Sequence, residues 1–141
     1  MSYYFFCARV ISGGVFLAML LAATLFYGCA GWSTEDKVRQ GVYTALHLAD
    51  WAQTREIAEK PDEYHETNCA LGDHPSKGEV DVYMGGTLIA HWVISDLLPT
   101  KWRVPLIDAQ INPRAWWQSV TIGVEAACVV NNYSIGLRGD F

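Results

Sequence analysis

The sequence predicts an all-α protein in which an N-terminal signal or anchor helix precedes a three-helix bundle with a long polar loop. Two observations predict this class. The first 28 residues contain one long apolar run, and the rest of the chain holds three segments of helical periodicity that prolines separate. With 141 residues in all, we expect residues 29–141 to form one helical domain.

Residues 1–28 have the parts of an export signal. Arg9 is the only charged side chain before Glu35, and an apolar run follows it as far as Gly28. A positive start, an apolar stretch and a small residue at the boundary are typical of a secretory signal peptide. The same run is also long enough to cross a bilayer as an uncleaved anchor. Release of the mature protein after cleavage is the third interpretation.

The junction at Cys29 resembles a bacterial lipobox, because Gly28 comes directly before the cysteine. The resemblance implies diacylglycerol on the thiol, cleavage before Cys29, and a further acyl chain such as palmitate on the new amino group. Several acyl chains anchor a protein more firmly than one. Ala30 follows the cysteine where inner-membrane lipoproteins carry aspartate, and this resemblance implies the outer membrane, facing the periplasm. Membrane lipid is therefore the first predicted partner.

Composition and motifs exclude several classes of function. The net charge is −5 and the ten Lys and Arg residues are scattered, so the chain has no basic stripe that would favour nucleic acid. The sequence contains no phosphate-binding glycine loop, dinucleotide fingerprint or nucleophile elbow. We therefore expect no cofactor and favour a non-catalytic protein.

Three helices follow from periodicity and from their start and stop residues. The first extends from an N-cap at Ser33 to Lys60, and Pro61 ends it. The second covers 79–98 and the third 114–132, with a polar loop at 61–79 between the first two. Residues 99–113 hold three prolines and should lie over the core or at a lipid interface. We expect the first helix to pack through one apolar stripe: Val38, Val42, Ala45, Ala49 and Ala52.

Polar residues also recur at helical spacing on a second face of each helix. The set that could converge in the bundle consists of His47, Asp50, Thr54, Glu66, Asn68, His91, Glu125 and Asn132. Three interpretations are open for it: a buried hydrogen-bonded network that fixes helix register, a metal site formed by Asp50, His91 and Glu125, or solvent-exposed faces. No standard metal-ligand spacing occurs. We favour the network and expect no metal.

The cysteines fit an exported protein. Cys7 would leave with the signal and Cys29 would carry lipid, so Cys69 and Cys128 remain as an even pair. They are either bonded to each other or two thiols that never meet.

Several motifs fall in the same order as in a known group of proteins. They are Ala49-Asp50-Trp51-Ala52-Gln53-Thr54, His65-Glu66-Thr67-Asn68, Leu71-Gly72-Asp73-His74-Pro75-Ser76, Tyr83, His91, Leu98-Pro99 and Ile122-Gly123-Val124-Glu125. From about Trp32 onward the chain resembles small lipoproteins or membrane proteins of uncharacterised function that tailed phages and prophages encode. Cys69 stands where that group has proline. The resemblance implies no enzymatic activity.

The sequence thus predicts a lipid-anchored, non-catalytic, phage-related helical protein of the bacterial envelope that contacts another membrane protein. Trp102, Trp116 and Trp117 could form an aromatic contact patch, a membrane-interface belt or part of the core. The alternative is a polytopic membrane protein with a polar or metal-binding site inside its helix bundle.

Overall fold

The structure is a computed structural model that describes residues 31–106 and 108–139. The chain divides into two units, Met1–Ser33 and Thr34–Phe141, and the second holds nearly all described residues. The predicted signal segment 1–28 and the lipidation site Cys29 lie outside the described residues. They therefore stay predictions.

The second unit contains three helices and a short hairpin. Helix α1 is Thr34–Glu59, α2 is Lys77–Leu97 and α3 is Pro113–Ser134. Strands β1, Trp102–Val104, and β2, Ala109–Ile111, pair antiparallel between α2 and α3. The mostly helical class and the three helices are confirmed, whereas the hairpin was not predicted.

The helix ends follow from local sequence. Ser76 caps α2 and forms a reciprocal capping box with Glu79, so α2 begins two residues earlier than the periodicity predicts. The Asn112 side chain accepts a hydrogen bond from the backbone N–H of Ala115, and Pro113 occupies the first turn of α3. Between α1 and α2, the segment 61–76 forms turns and no helix or strand, as the polar loop predicts.

The hairpin lies on the surface. Trp102 is 58% exposed and Leu106 95% exposed. Arg103 Nε donates to Asp108 Oδ1 at 2.7 Å, and Asp108 has a positive φ of 48° that the tight turn requires. Segment 99–113 is therefore a structured surface element.

The inner side of α1 is polar, which corrects the predicted packing. Val38 and Val42 are 59% and 44% exposed, and of the predicted stripe only Ala52 is buried. The buried side carries Tyr43 and His47 instead. The apolar and polar stripes are equally regular in the sequence, and the polar one faces inward because its side chains find hydrogen-bond partners on α2 and α3.

Helix α1 is the centre of the bundle, because it packs against both α3 and α2 while those two helices touch each other little. Within the described part of the chain, no helix combines the length and hydropathy that crossing a membrane requires.

Candidate functional site

Hydrogen bonds near the middle of the bundle join the three helices. They connect His47 on α1 with Met84 on α2 and with Glu125 on α3. Nδ1 of His47 lies 2.9 Å from Oε1 of Glu125, and Nε2 lies 3.0 Å from the Met84 carbonyl oxygen. Only 3% of the His47 side chain and 15% of the Glu125 side chain are exposed. A backbone carbonyl only accepts, so Nε2 carries a proton, and the second ring nitrogen faces a carboxylate. The site therefore suits a doubly protonated His47.

The surroundings of His47 favour that charged form. Burial alone would lower the pKa of His47, but the hydrogen bonds to Glu125 and to the Met84 carbonyl outweigh burial, with help from the negative charges of Glu125 and Asp50. The pKa of His47 is therefore raised above its ordinary value. Tyr43 extends the network, since its hydroxyl lies 3.4 Å from Nδ1 of His47. Burial, and then the charge of Glu125, raises the pKa of Tyr43 well above its usual range.

A stack of rings forms the next layer. His91 lies flat against Tyr43, with ring centroids 3.4 Å apart, and against Trp117 at 5.5 Å. Nε2 of His91 is 2.9 Å from the Thr121 hydroxyl oxygen. Burial, followed by the positive charge of His47, lowers the pKa of His91 to about 4. His91 is therefore neutral near pH 7.

Asp50 lies below the His47 layer, where Nδ2 of Asn132 donates to its Oδ1 at 2.9 Å. Burial raises the pKa of Asp50 to about 6, and the negative charges of Glu125 and Glu66 add to the rise. The charge of His47 opposes it. The two neighbouring carboxylates therefore disfavour the charged form of Asp50.

The side chains of the loop residues Glu66 and Asn68 form hydrogen bonds within the loop and to α2. Oε1 of Glu66 accepts from the backbone N–H groups of Thr67 and Asn68, at 2.8 Å each. Nδ2 of Asn68 donates to the Tyr83 hydroxyl at 3.0 Å, which ties the loop to α2. Neither side chain hydrogen-bonds to Asp50.

At the opposite end, the core holds an ion cluster that the sequence did not predict. Asp36 is 1% exposed, and its Oδ1 accepts from Nη2 of Arg39 at 2.6 Å. Nη1 of Arg114 lies 3.5 Å from the other oxygen of Asp36. Gln118 accepts from Arg39 and donates to the Asp36 carbonyl. Acidic residues in a first helical turn usually indicate capping, so nothing in the pattern marked Asp36 as buried.

The predicted set is therefore brought together only in part. His47 joins Glu125, and Asp50 joins Asn132, whereas His91 bonds Thr121 one layer away. Thr54 is buried on α1. Trp117 packs in the core while Trp102 and Trp116 are exposed, so the three tryptophans do not form one patch.

The described residues contain no assembled site for metal or thiol chemistry. No group of three or more His, Cys, Asp or Glu side chains in 31–106 and 108–139 could hold a metal ion, so Asp50, His91 and Glu125 do not form the metal site that was one interpretation. Cys69 and Cys128 are both free and exposed, and the bond between them that the sequence leaves open is not formed here. Burial raises the pKa of the Cys128 thiol.

An open groove of about 650 Å³ lies elsewhere, between α1 and the tail after α3. Leu48, Trp51 and Arg138 are among its lining residues, and His47, Asp50 and Glu125 are not. The groove therefore does not coincide with the polar core.

No protein-family model matches the chain, and no curated protein or solved structure shows significant similarity to it. The resemblance to phage-encoded proteins stays a prediction. Function must be argued from the distribution of polar and apolar side chains.

Proposed function

We propose that this chain is a lipid-anchored, non-catalytic protein of the bacterial envelope whose helical domain binds apolar helices of another membrane protein. One observation carries the proposal: in the described residues, ten buried side chains are polar or charged against seven apolar ones, while sixteen large apolar side chains are exposed. Water-soluble domains have the opposite arrangement.

Helix α2 clearly shows exposed apolar side chains along one side. Val82, Ile89, Val93 and Leu97 follow one another at spacings of seven, four and four, which places them on one side of the helix. Val82 and Leu97 are each 78% exposed, and the two between them are about 40% exposed. Contiguous exposed apolar surface of this kind marks a contact with protein or membrane.

Helix α3 repeats the arrangement. Trp116, Val120, Val124 and Val130 are 53–67% exposed, whereas Gln118 is fully buried. Both helices therefore expose apolar side chains. The buried residues of α3 are polar, whereas α2 buries Val80 and Met84 as well as His91 and Ser95.

Small residues on the same outer surfaces favour a helix as the partner. Gly41, Gly86 and Gly123 are exposed in mid-helix, and a Cβ at any of them would meet nothing within 4 Å. Glycine costs roughly 1 kcal/mol relative to alanine in such positions, so the protein's own packing gives no reason for it. Each glycine is followed four residues later by an exposed alanine: Ala45, Ala90 and Ala127. Small residues at this spacing let helices approach closely in membranes.

The anchor and the location rest on the sequence. The Gly28–Cys29 junction supports lipidation, and Ala30 supports the outer membrane facing the periplasm. Intact mass spectrometry of the purified chain tests the anchor: a mass of residues 29–141 plus acyl chains supports it. An unmodified full-length mass would reject it. Cys29→Ser should abolish both the cleavage and the added mass.

Site-specific photocrosslinking tests the partner. A benzophenone side chain at Val93 or Val120 in membranes of producing cells should give a discrete protein adduct, which Gly86→Leu or Gly123→Leu weakens. Glu63, which is exposed on the polar loop, is the matched control position and should give none. Adducts with phospholipid alone, with a second copy of the chain, or with no molecule would refute a membrane-protein partner.

A further inference from the structure

Several side chains between the helices have a buried polar atom without a hydrogen-bond partner among the described residues. Four of them have such atoms near one end of the bundle: both amide atoms of Gln40, Nδ1 of His91, the Ser95 hydroxyl and Nε1 of the half-buried Trp117. Gln40 and His91 are 2% exposed and Ser95 is fully buried. A buried polar atom left without a partner costs about 1–3 kcal/mol, and such atoms are rare in native proteins.

Gln40 and Ser95 lie on the same side of the Tyr43–His91 stack. Contacts Trp51–Asp81 and Tyr43–His91 show that α1 and α2 run antiparallel. Gln40 is one turn before Tyr43 and Ser95 is one turn after His91, so both lie toward the same end of the bundle.

Trp117 on α3 lies toward that end as well. Helix α3 runs parallel to α1, because Gln118 bonds Asp36 whereas Glu125 bonds His47. Trp117 directly precedes Gln118 and stacks on His91. Gln40, His91, Ser95 and Trp117 therefore form one layer, the Gln40 layer, which includes two rings of the stack and lies next to the Asp36 cluster.

The protonation state of His91 decides whether its Nδ1 atom donates or accepts a hydrogen bond. The Thr121 hydroxyl donates its single proton to a backbone carbonyl of α3, at 2.9 Å from that of Trp117 and 3.0 Å from that of Gln118. Its oxygen must then accept from Nε2–H of His91. Since the low pKa of His91 keeps the ring neutral, Nδ1 is an acceptor that lacks a donor.

The layer thus offers donors and acceptors together. Trp117 Nε1 only donates, His91 Nδ1 only accepts, and Gln40 and Ser95 do both. A small molecule that both donates and accepts can pair with all of these atoms. We propose that the Gln40 layer is an internal binding site for a small neutral molecule that donates and accepts hydrogen bonds, namely ordered water. Proteins hold about one buried water per 27 residues, each with about three hydrogen bonds, so a bundle of this size accommodates such a site.

Water contacts measured by NMR on the full-length chain in detergent micelles test the site. A water molecule with a residence time longer than protein tumbling gives laboratory-frame and rotating-frame Overhauser effects of opposite sign. We expect this signature at the Trp117 indole N–H, identified by its loss in Trp117→Phe. The signal should disappear in Gln40→Met, which removes both amide atoms from the layer.

The matched control is Gln110→Met, which makes the same change at an exposed position of β2 and should leave the signal intact. Gln40→Leu replaces Gln40→Met if the latter does not fold. No signal in the wild-type protein, or persistence of the signal in the Gln40 variant, would overturn the proposal. It is independent of the proposed partner and of the anchor.

Discussion

Asp50→Asn should stabilise the protein at neutral pH. The pKa of Asp50 is raised from 3.8 to about 6, so the folded state holds the proton more tightly than the unfolded chain. Stability therefore falls as pH rises from about 4 to 6 and stays lowered above that window. Asparagine carries no charge, and its side-chain oxygen can still accept from Asn132.

The magnitude follows from the two pKa values. Their separation corresponds to roughly 3 kcal/mol at most, since one pKa unit is about 1.4 kcal/mol. Asp50 is only partly buried, so solvent screening reduces the gain to about 1–2 kcal/mol. For a domain of this size that is a rise of roughly 4–10 °C in Tm.

Thermal unfolding followed by circular dichroism, at about pH 4 and pH 7 in one detergent, measures the effect. Wild-type protein and Asp50→Asn should unfold at similar temperatures at pH 4 and diverge at pH 7. Asp62→Asn, an exposed change of the same kind, should show no such divergence. Equal Tm values for wild type and Asp50→Asn at pH 7, or a lower value for the variant, would refute the reasoning.

Two further predictions concern the core and the tail. Glu125→Gln should lower the pKa of His47, measured by NMR titration of its ring, because Glu125 supplies the hydrogen bond that raises it. The raised pKa stabilises the fold below about pH 6.5, so the stability difference between wild type and variant should shrink as the pH rises above 6.5; a difference independent of pH would contradict this. Gly139→Ala should destabilise by about 1–2 kcal/mol, because φ is +69° and a Cβ would lie 2.9 Å from Cβ of Ala52. Gly123→Ala, its control in open helix, should instead stabilise by up to about 1 kcal/mol in urea unfolding, and the reverse order would count against both assignments.

The sequence predicts the helices well because their ends carry local signals. Pro61 is the predicted end of α1. Ser76 and Asn112 are local signals of the same kind, but they were not among the predicted caps, so the predicted starts at 79 and 114 lie two residues and one residue late. The hairpin was missed because a three-residue strand next to prolines has too short a pattern to distinguish from a loop.

The direction in which each helix faces could not be predicted. Periodicity places His47 and Asp50 on one face of α1 and Val38 on another, but it does not say which face is inward. That choice depends on partners on other helices, such as Glu125 and Asn132.

Gln40 shows the same limit more sharply. An amide in mid-helix is most often exposed, so only the assembled bundle reveals it as buried.

The carboxylate of Glu56 fastens the tail that follows α3. Its Oε2 accepts from the backbone N–H groups of Arg138 and Gly139, at 2.9 Å each, and its Oε1 accepts from Lys60. A purification tag joined directly after this tail would strain these hydrogen bonds, and one at the front would alter the predicted signal segment 1–28. The turn at Leu106 is the better place for an inserted epitope, since it is almost wholly accessible and distant in sequence from both constraints.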